Sequence, residues 1–380
     1  MIYFFIFILI IYLSTIGLLI YGFDKVKFTS NNYLEPITKF SIIIPFRNEE
    51  KDFLNLLNSI SNLNYPKNQF EILVVNDDSD DDSVFIFNKW QSENTEISSR
   101  LFQNFRKSNS PKKDAIQTAI SQIENNWIIT TDADCVVNKN WLIAFNNQIV
   151  DNNCEMICGS VSISNKNGFL NYFQFVDLLS LQGTTIGSFG INKAFMCNGA
   201  NFAYTKKLFL ELNGFDGNDK IASGDDVFLL QKAVKLFPEK VSFLKSQDAI
   251  IYTKPEKSWS ELFNQRVRWA SKTGAYDSFF AKFLAVIVLL MNFSLVLIFG
   301  LWFVNICTST ALSETKTIGF IVFLKFSIDI ILLNKTNQFI SNRKFIFPII
   351  SSLFYPFFCV SVAFYSFFGG FKWKNRKFKK

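Results

Sequence analysis

Three observations predict an α/β chain: a doubly wound, mixed sheet carried between membrane helices. Short apolar, β-branched runs alternate with helical stripes between residues 40 and 131. Those runs end in polar, mostly acidic residues, and ligands in such sheets bind outside the carboxyl ends of the strands. Apolar residues, 49% of the chain with Phe alone at 46, gather at the N-terminus and toward the C-terminus. At 380 residues there is room for one large or two ordinary domains beside the membrane segments.

In chain order, Ile2 to Tyr21 is apolar and uncharged, long enough for a bilayer-spanning helix, and has neither the basic start nor the small-residue cleavage site of a signal peptide. Lys25 and Lys27 follow, so the positive-inside rule places the next domain in the cytoplasm. Phe40 to Pro45 reads as a buried strand. Apolar positions 53, 54, 56, 57 and 60 make a helical stripe. Phe70 to Val75 is the next strand and runs into the acidic stretch Asn76 to Ser83, read as a solvated turn at Asp80 to Asp82. Lys112 to Ile123 is a helix and Trp127 to Thr131 a strand. Gly168 to Ile191 is an aromatic, amphipathic helix suited to a membrane surface. Gly224-Asp225-Asp226 puts two acids at a helix start, where the helix dipole favours them.

Residues 255–272 form a basic, aromatic segment leading to the membrane. Phe279 to Ile306 and Phe345 to Phe368 read as spans. Ile318 to Leu333 carries Lys325 and Asp329 and reads either as a span or as a re-entrant segment, giving two to three C-terminal membrane helices. The expected division is an N-terminal membrane helix at 1–22, a cytoplasmic domain at 23–275 with interfacial segments near 168–191 and 255–272, a membrane region at 276–368, and a basic tail at 369–380, preferred as cytoplasmic. The expected location is multi-pass, in the cell's inner (plasma) membrane.

Composition removes several chemistries. There is no His, hence no His base, triad or metal ligand. Six Cys lack a paired pattern; Cys154 and Cys158 are too far apart for a zinc or redox C-x-x-C, so the cysteines read as free thiols. The formal charge of +7 is concentrated in Lys372, Lys374, Arg376, Lys377, Lys379 and Lys380, which suits anionic lipid rather than nucleic acid.

The acids at the strand ends carry the functional signal. Asp132 and Asp134 close the strand Trp127 to Thr131, one residue apart, and would share a face if the strand continued. Paired carboxylates suit Mg²⁺ or Mn²⁺ rather than Zn²⁺; taken alone, the pair could equally be a solvated loop. Glu49 follows the first strand, Asp77 and Asp78 the second, and Asp226 opens a later helix. A nucleoside diphosphate with a bound cation needs such a layout, with a separate carboxylate to take a proton from an attacking hydroxyl. Lys112 and Lys113, at a helix start, are placed to contact phosphate.

The ordered motifs Pro45-Phe46-Arg47-Asn48-Glu49, Val75-Asn76-Asp77-Asp78-Ser79, Lys112-Lys113-Asp114-Ala115, Thr131-Asp132-Ala133-Asp134, Asn198-Gly199-Ala200-Asn201, Gly214-Phe215, Ser223-Gly224-Asp225-Asp226 and Gln265-Arg266-Val267-Arg268-Trp269 resemble those of the membrane-bound family 2 glycosyltransferases. That group includes cellulose, chitin and hyaluronan synthases and ceramide-glucosyltransferase-like enzymes. The resemblance covers residues 38–275 and the flanking spans, and implies the GT-A fold. It implies that Pro45, Arg47, Glu49, Asp77 and Lys113 line the nucleotide-sugar site, and that Asp132 and Asp134 bind a UDP-sugar with Mg²⁺ or Mn²⁺, Asp134 being the more direct ligand. It makes Asp226 the general base of an inverting transfer, with Asn198, Gly199, Asn201 and Asp225 on the acceptor side. Gln265, Arg268 and Trp269 would close over the diphosphate and shape the acceptor site. The partners implied are a UDP-sugar and a lipid or growing glycan.

Two departures stand out. The usual Thr-Glu-Asp reads Gly224-Asp225-Asp226, a form also met in lipid-acceptor relatives. Asn76-Asp77 stands where two acids are common. The competing readings are a haloacid-dehalogenase-type phosphatase with Asp132 as nucleophile, and a non-catalytic, membrane-anchored binding protein.

Overall fold

The structure is a computed structural model that describes residues 2–29, 34–164, 167–218, 224–308, 315–343, 348–368, 371–373 and 376–378. Ser223 of the expected acidic motif and Lys374, Lys379 and Lys380 of the basic tail lie outside the described residues. In chain order the elements are α1 (Ile2–Lys25), β1 (Phe40–Phe46), α2 (Phe53–Ser61), β2 (Phe70–Asn76), α3 (Ser83–Glu93), β3 (Ser98–Gln103), α4 (Pro111–Ile120), β4 (Trp127–Thr130) and α5 (Trp141–Asp151). There follow β5 (Met156–Gly159), β6 (Val161–Ile163), α6 (Phe169–Gly190), β7 (Phe202–Thr205), α7 (Lys206–Glu211), α8 (Asp225–Leu236), β8 (Val241–Leu244) and β9 (Ile251–Thr253). The chain ends in α9 (Trp259–Ala270), α10 (Phe279–Thr308), α11 (Thr315–Ile340), α12 (Pro348–Phe368) and a hairpin of β10 (Phe371–Trp373) and β11 (Arg376–Phe378). These form two compact units: Val26–Ser164 with Ala194–Pro255, and Met1–Lys25 with Asn165–Lys193 and Glu256–Lys380.

The first unit is a seven-stranded mixed sheet in the order β3-β2-β1-β4-β7-β5-β8. β3, β2, β1 and β4 run parallel, and β7 is antiparallel to both β4 and β5. β1 and β2 read as continuous apolar runs because helices cover both faces of a parallel sheet. Phe53, Leu56, Leu57 and Ile60 of α2 are fully buried, and Phe53 stacks on Phe46 at 4.8 Å. Each such side chain contributes about 1.5–3 kcal/mol on burial. Register sets the functional edge: β1 and β2 finish together, with Phe46 opposite Asn76, while β4 stops at Thr130, opposite Ile43 and three residues short of the end of β1. Val161–Ile163 and Ile251–Thr253 pair as a separate short ribbon.

The second unit is helical. Among the described residues, four helices are long and apolar enough to cross a membrane: Ile2–Lys25, Phe279–Phe303, Lys316–Ile340 and Ile350–Phe367. The segment around 318–333 is thus part of a full-length helix, and its two charges are paired inside the bundle. Lys325 Nζ lies 2.9 Å from Asp329, which also accepts from Tyr12 Oη at 2.6 Å. α6 packs against α1 at backbone distance. A Cβ on Gly190 would come 1.8 Å from the Gly22 carbonyl oxygen, and one on Gly187 would come 2.3 Å from that of Leu19. Replacing Gly190 by Leu is expected to force α1 and α6 apart, costing at least about 1–3 kcal/mol. Thermal unfolding of the detergent-purified protein should show the loss, while Gly17→Ala, whose added Cβ meets nothing within 4 Å, should leave the melting point in place.

Candidate functional site

The loops after β1 and β2 are zipped together. Asn48 and Asp78 both adopt left-handed backbone, φ 53° and 54°, a region that Asn and Asp tolerate. Asn48 Nδ2 donates to Asp80 at 2.5 Å while Asp80 N–H donates back to Asn48 Oδ1 at 3.0 Å. The Glu49 N–H donates to Ser83 Oγ at 2.8 Å and the Glu50 N–H to Asp81 at 2.9 Å. Burial alone would raise Asp81, but its hydrogen bonds from Ser83 and Glu50 outweigh it and hold the carboxyl below the usual range. Asp80 and Asp81, read as part of a solvated turn, are therefore structural, which a count of charges does not reveal.

Asp77 is buried beneath this zip. Its Oδ1 accepts from Asn104 Nδ2 at 2.7 Å and Arg106 Nε at 2.6 Å, and its carbonyl accepts from Arg47 at 2.5 Å. Asn104 and Arg106 follow β3, a strand absent from the sequence reading.

β4 stops at Thr130. The Thr131 N–H still reaches Ile43 O at 3.2 Å, but a turn then closes with the Cys135 N–H on Asp132 O at 3.1 Å. The strand does not continue through Asp132 and Asp134, so strand alternation does not apply to them: they sit on a turn. Asp134 Oδ2 accepts from Thr253 Oγ1 at 3.3 Å, and Asp132 Oδ1 binds Lys112 Nζ at 2.6 Å. Lys112 also lies 3.5 Å from Asp225 Oδ2. Burial would lower the Lys112 pKa, but Asp132, Asp225 and Asp226 outweigh it and keep the ammonium charged. Lys113, expected at the nucleotide, does not join this cluster. It is 1% exposed, donates to Asn218 O at 2.6 Å and lies over the Phe228 ring. A one-residue step on a helix rotates the side chain by about 100°, so adjacent lysines cannot share a target.

Asp226 stands at the start of α8. Its Oδ2 accepts the Gly199 N–H at 2.7 Å and its Oδ1 the Val227 N–H at 2.7 Å. A Cβ on Gly199 would lie 3.0 Å from Asp225 Oδ2, so the 198–201 turn backs directly onto the acid pair. Asn198 Oδ1 accepts the Ala200 N–H, and Thr130 Oγ1 donates to Gly199 O at 2.7 Å. The structure thus gathers Lys112, Asp132, Asp225, Asp226 and Gly199. Around them the thiols stay neutral: burial, Cys158 and the two α8 acids push Cys197 up, and burial with Asp134 and Asp132 pushes Cys135 up.

Asn201, expected on the acceptor side, is fully buried. Its amide donates to Ser160 O (2.8 Å) and Ala249 O (2.7 Å) and its oxygen accepts from Trp141 Nε1 (3.0 Å). It ties the turn to three other segments.

Asp132 and Asp134 offer hard oxygen donors of the kind Mg²⁺ and Mn²⁺ take. Among the described residues, no three His, Cys, Asp or Glu are grouped to hold a metal by themselves.

Gln265, Arg268 and Trp269 lie on α9 in the helical unit. The helix opens with a reciprocal capping box between Ser258 and Glu261. Gln265 Nε2 donates to Glu256, and the Arg266 guanidinium lies over the Trp269 ring at 4.2 Å.

Comparison with known proteins decides the family. The profile of "Glycosyl transferase family 2" matches residues 41–212, and that of "Glycosyl transferase family group 2" matches residues 127–367. The chain belongs to glycosyltransferase family 2. The poly(ribitol-phosphate) beta-N-acetylglucosaminyltransferase TarS of Staphylococcus aureus is 34% identical over 104 residues, 27% of this chain and 18% of TarS. The probable glycosyltransferase YdaM of Bacillus subtilis is 25% identical over 245 residues, 62% of this chain and 56% of YdaM. The chain therefore spans little more than half of YdaM and a fifth or less of TarS. The mannosyltransferase PcManGT of Pyrobaculum calidifontis, solved with GDP-Man and Mn²⁺, shares the fold, with a TM-score of 0.55 at 15% identity over 96% of this chain and 98% of its own. The GT-A expectation thus holds for this glycosyltransferase, and the phosphatase reading finds no support.

Asn201→Leu should leave Ser160 O, Ala249 O and Trp141 Nε1 without their partner, at about 1–3 kcal/mol per stranded group. The expected outcome is a clear drop in melting temperature, read by tryptophan fluorescence on the purified protein.

Proposed function

We propose that the chain is an inverting, metal-dependent glycosyltransferase that moves a hexose or N-acetylhexosamine from a UDP-sugar to a membrane lipid or growing glycan. The observation that carries the reading is the meeting of Asp132, Asp225 and Asp226 around Lys112. It joins the D-x-D turn to the α8 acids, the juxtaposition that group transfer from a nucleoside diphosphate requires. Among the described residues, three carboxylates, Asp132, Asp225 and Asp226, act on the Lys112 ammonium. Such a surplus repels a diphosphate unless a cation accompanies it.

Asp134 and Asp132 would hold Mg²⁺ or Mn²⁺, which supplies charge neutralisation to the departing diphosphate. Asp77, fixed by Asn104 and Arg106, would accept from the nucleobase or ribose, with Glu49, Arg47 and Pro45 walling that side. Asp226 would take the acceptor hydroxyl proton. Its two backbone hydrogen bonds fix the carboxylate plane and leave lone pairs for the substrate. Asn198, Gly199 and Asp225 form its backing. Gln265, Arg268 and Trp269 would close over the donor, Arg268 countering charge on the diphosphate and Trp269 offering a sugar an apolar face. The four apolar helices would hold the enzyme in the cell's inner membrane with the sheet unit in the cytoplasm. The Gly224-Asp225-Asp226 form favours single additions to lipid over extrusion of a polymer.

Membranes carrying the protein should transfer label from one of a panel of radiolabelled UDP-sugars into an organic-extractable product. Asp226→Asn should cut that transfer by about 10²–10⁴-fold, the usual contribution of a positioned base, while UDP still binds. Full activity in the variant would remove Asp226 from the role. Chelation by EDTA should abolish transfer and Mn²⁺ or Mg²⁺ should restore it, with Asp134→Asn needing more metal for half-maximal rate.

A further inference from the structure

α9 carries a second arginine, and it is the better buried. Arg266 Nε donates to Asp177 Oδ2 at 2.5 Å, with side-chain exposures of 8% and 5%. Asp177 is the lone charged residue of α6. An ion pair taken out of water persists only if its remaining hydrogen-bonding positions are used. Here the guanidinium also donates to Gln265 Oε1 and lies over the Trp269 ring at 4.2 Å. Gln265 is held from its other side by Glu256. Glu256 is fixed in turn by a reciprocal backbone pair with Gln174: its N–H donates to Gln174 Oε1 at 2.8 Å and its carbonyl accepts from Gln174 Nε2 at 3.0 Å. Gln174 and Asp177 are three apart on α6 and share one face. Both are almost fully buried. A closed polar ring therefore runs Gln174, Glu256, Gln265, Arg266, Asp177, and every link of it bears on the orientation of Gln265 or Trp269.

We propose that Asp177 and Arg266 are positioning residues that hold Gln265 and Trp269 of α9 in their working orientation, with α6 as the rigid support. This rests on the reading of Gln265 and Trp269 as side chains that close over the donor. The planar guanidinium is required because it must bond Asp177 and Gln265 within one plane while presenting its face to the indole, which a lysine cannot do.

The test uses the full-length protein in detergent or nanodiscs. Arg266→Lys keeps the charge and the attraction to Asp177 but loses the fork and the stack. Its melting point should stay near that of the wild type while kcat falls about 10- to 100-fold, the scale of a misplaced group. Asp177→Asn should behave similarly with some loss of stability. The double exchange Asp177→Arg with Arg266→Asp restores the buried pair but places no planar cation beside Trp269. The expected result is recovered stability without recovered kcat. If kcat returned with stability, the pair would be structural only and the proposal would be wrong. Should Asp177→Asn fail to fold, Arg266→Lys decides alone, and wild-type kcat there overturns the proposal.

Trp269→Ala separates the two layers of inference. Full activity in Trp269→Ala would sink the reading of the motif. Loss there, combined with full activity in Arg266→Lys, would sink only the positioning role. A readout independent of activity is the ¹⁹F resonance of Trp269 in protein labelled with 5-fluorotryptophan, assigned through Trp269→Phe. It should shift or broaden in Arg266→Lys and in the double exchange. An unchanged line would show that Arg266 does not set the indole.

Discussion

One ammonium group ties the candidate site together. Lys112 lies 2.6 Å from Asp132 on the turn after β4 and 3.5 Å from Asp225 at the head of α8, segments almost a hundred residues apart in the chain. Without it, the carboxylates of the two segments would face each other across a partly buried space, where like charges repel far more strongly than in water. Removing one partner of such a cluster costs more than the pair itself contributes, because a charge is left uncompensated. The same ammonium is also the natural counter-charge for a phosphate. A donor with its cation, on binding as proposed, would take over Asp132 and leave Lys112 to Asp225 and the diphosphate. The cluster is thus held together by Lys112 in the absence of a donor.

That arrangement depends on a frame that lies outside the acids. β4 has to end beside β1, which the pairing of Ile43 with Thr130 fixes. The 198–201 turn has to sit against α8, which Thr130 Oγ1 and the Gly199 N–H fix from two sides. Asn201 then binds that turn to Ser160, Ala249 and Trp141. A buried amide with all these bonds made rigidifies its surroundings, and one with any bond missing destabilises them. The Gly199 carbonyl and N–H are both occupied in this way, so the residue facing the proposed base has no freedom to drift.

The central strands were legible because they are buried on both faces and read as unbroken apolar runs: Phe40 to Pro45, Phe70 to Val75 and Trp127 to Thr131 all appear as strands. β3 was not, because Ser98–Gln103 is an edge strand of mixed polarity, and α3 before it carries only a weak apolar stripe. Asn104 and Arg106, which grip Asp77, were therefore unseen as well. The acids at the strand ends were visible as residue types, and the family resemblance ordered them. Which oxygen meets which donor was not visible. Choosing Lys112 over Lys113 requires the helical phase of α4, and distinguishing Asp81 from a solvated acid requires the neighbouring loop. Asp177 gave no signal at all: a lone acid in an aromatic helix gains meaning only once Arg266 is found opposite it.

The departure at Gly224-Asp225-Asp226 has a geometric reading. Gly224 has φ 84°, a left-handed conformation that costs a side-chain-bearing residue roughly 1–2 kcal/mol and glycine nothing. That conformation turns the chain into α8 with both acids in its first helical turn, where the helix dipole favours them. Asp225, 8% exposed, then points toward Lys112, while Asp226 meets the Gly199 N–H. The wall at Gly199 stands 3.0 Å from the Asp225 carboxylate, measured from where a Cβ would be. A side chain at 199 would crowd that carboxylate, so the bare glycine keeps the approach of the 198–201 turn to the acid pair open. Gly224 thus sets the entry into α8 and Gly199 closes on it, its N–H held by the proposed base.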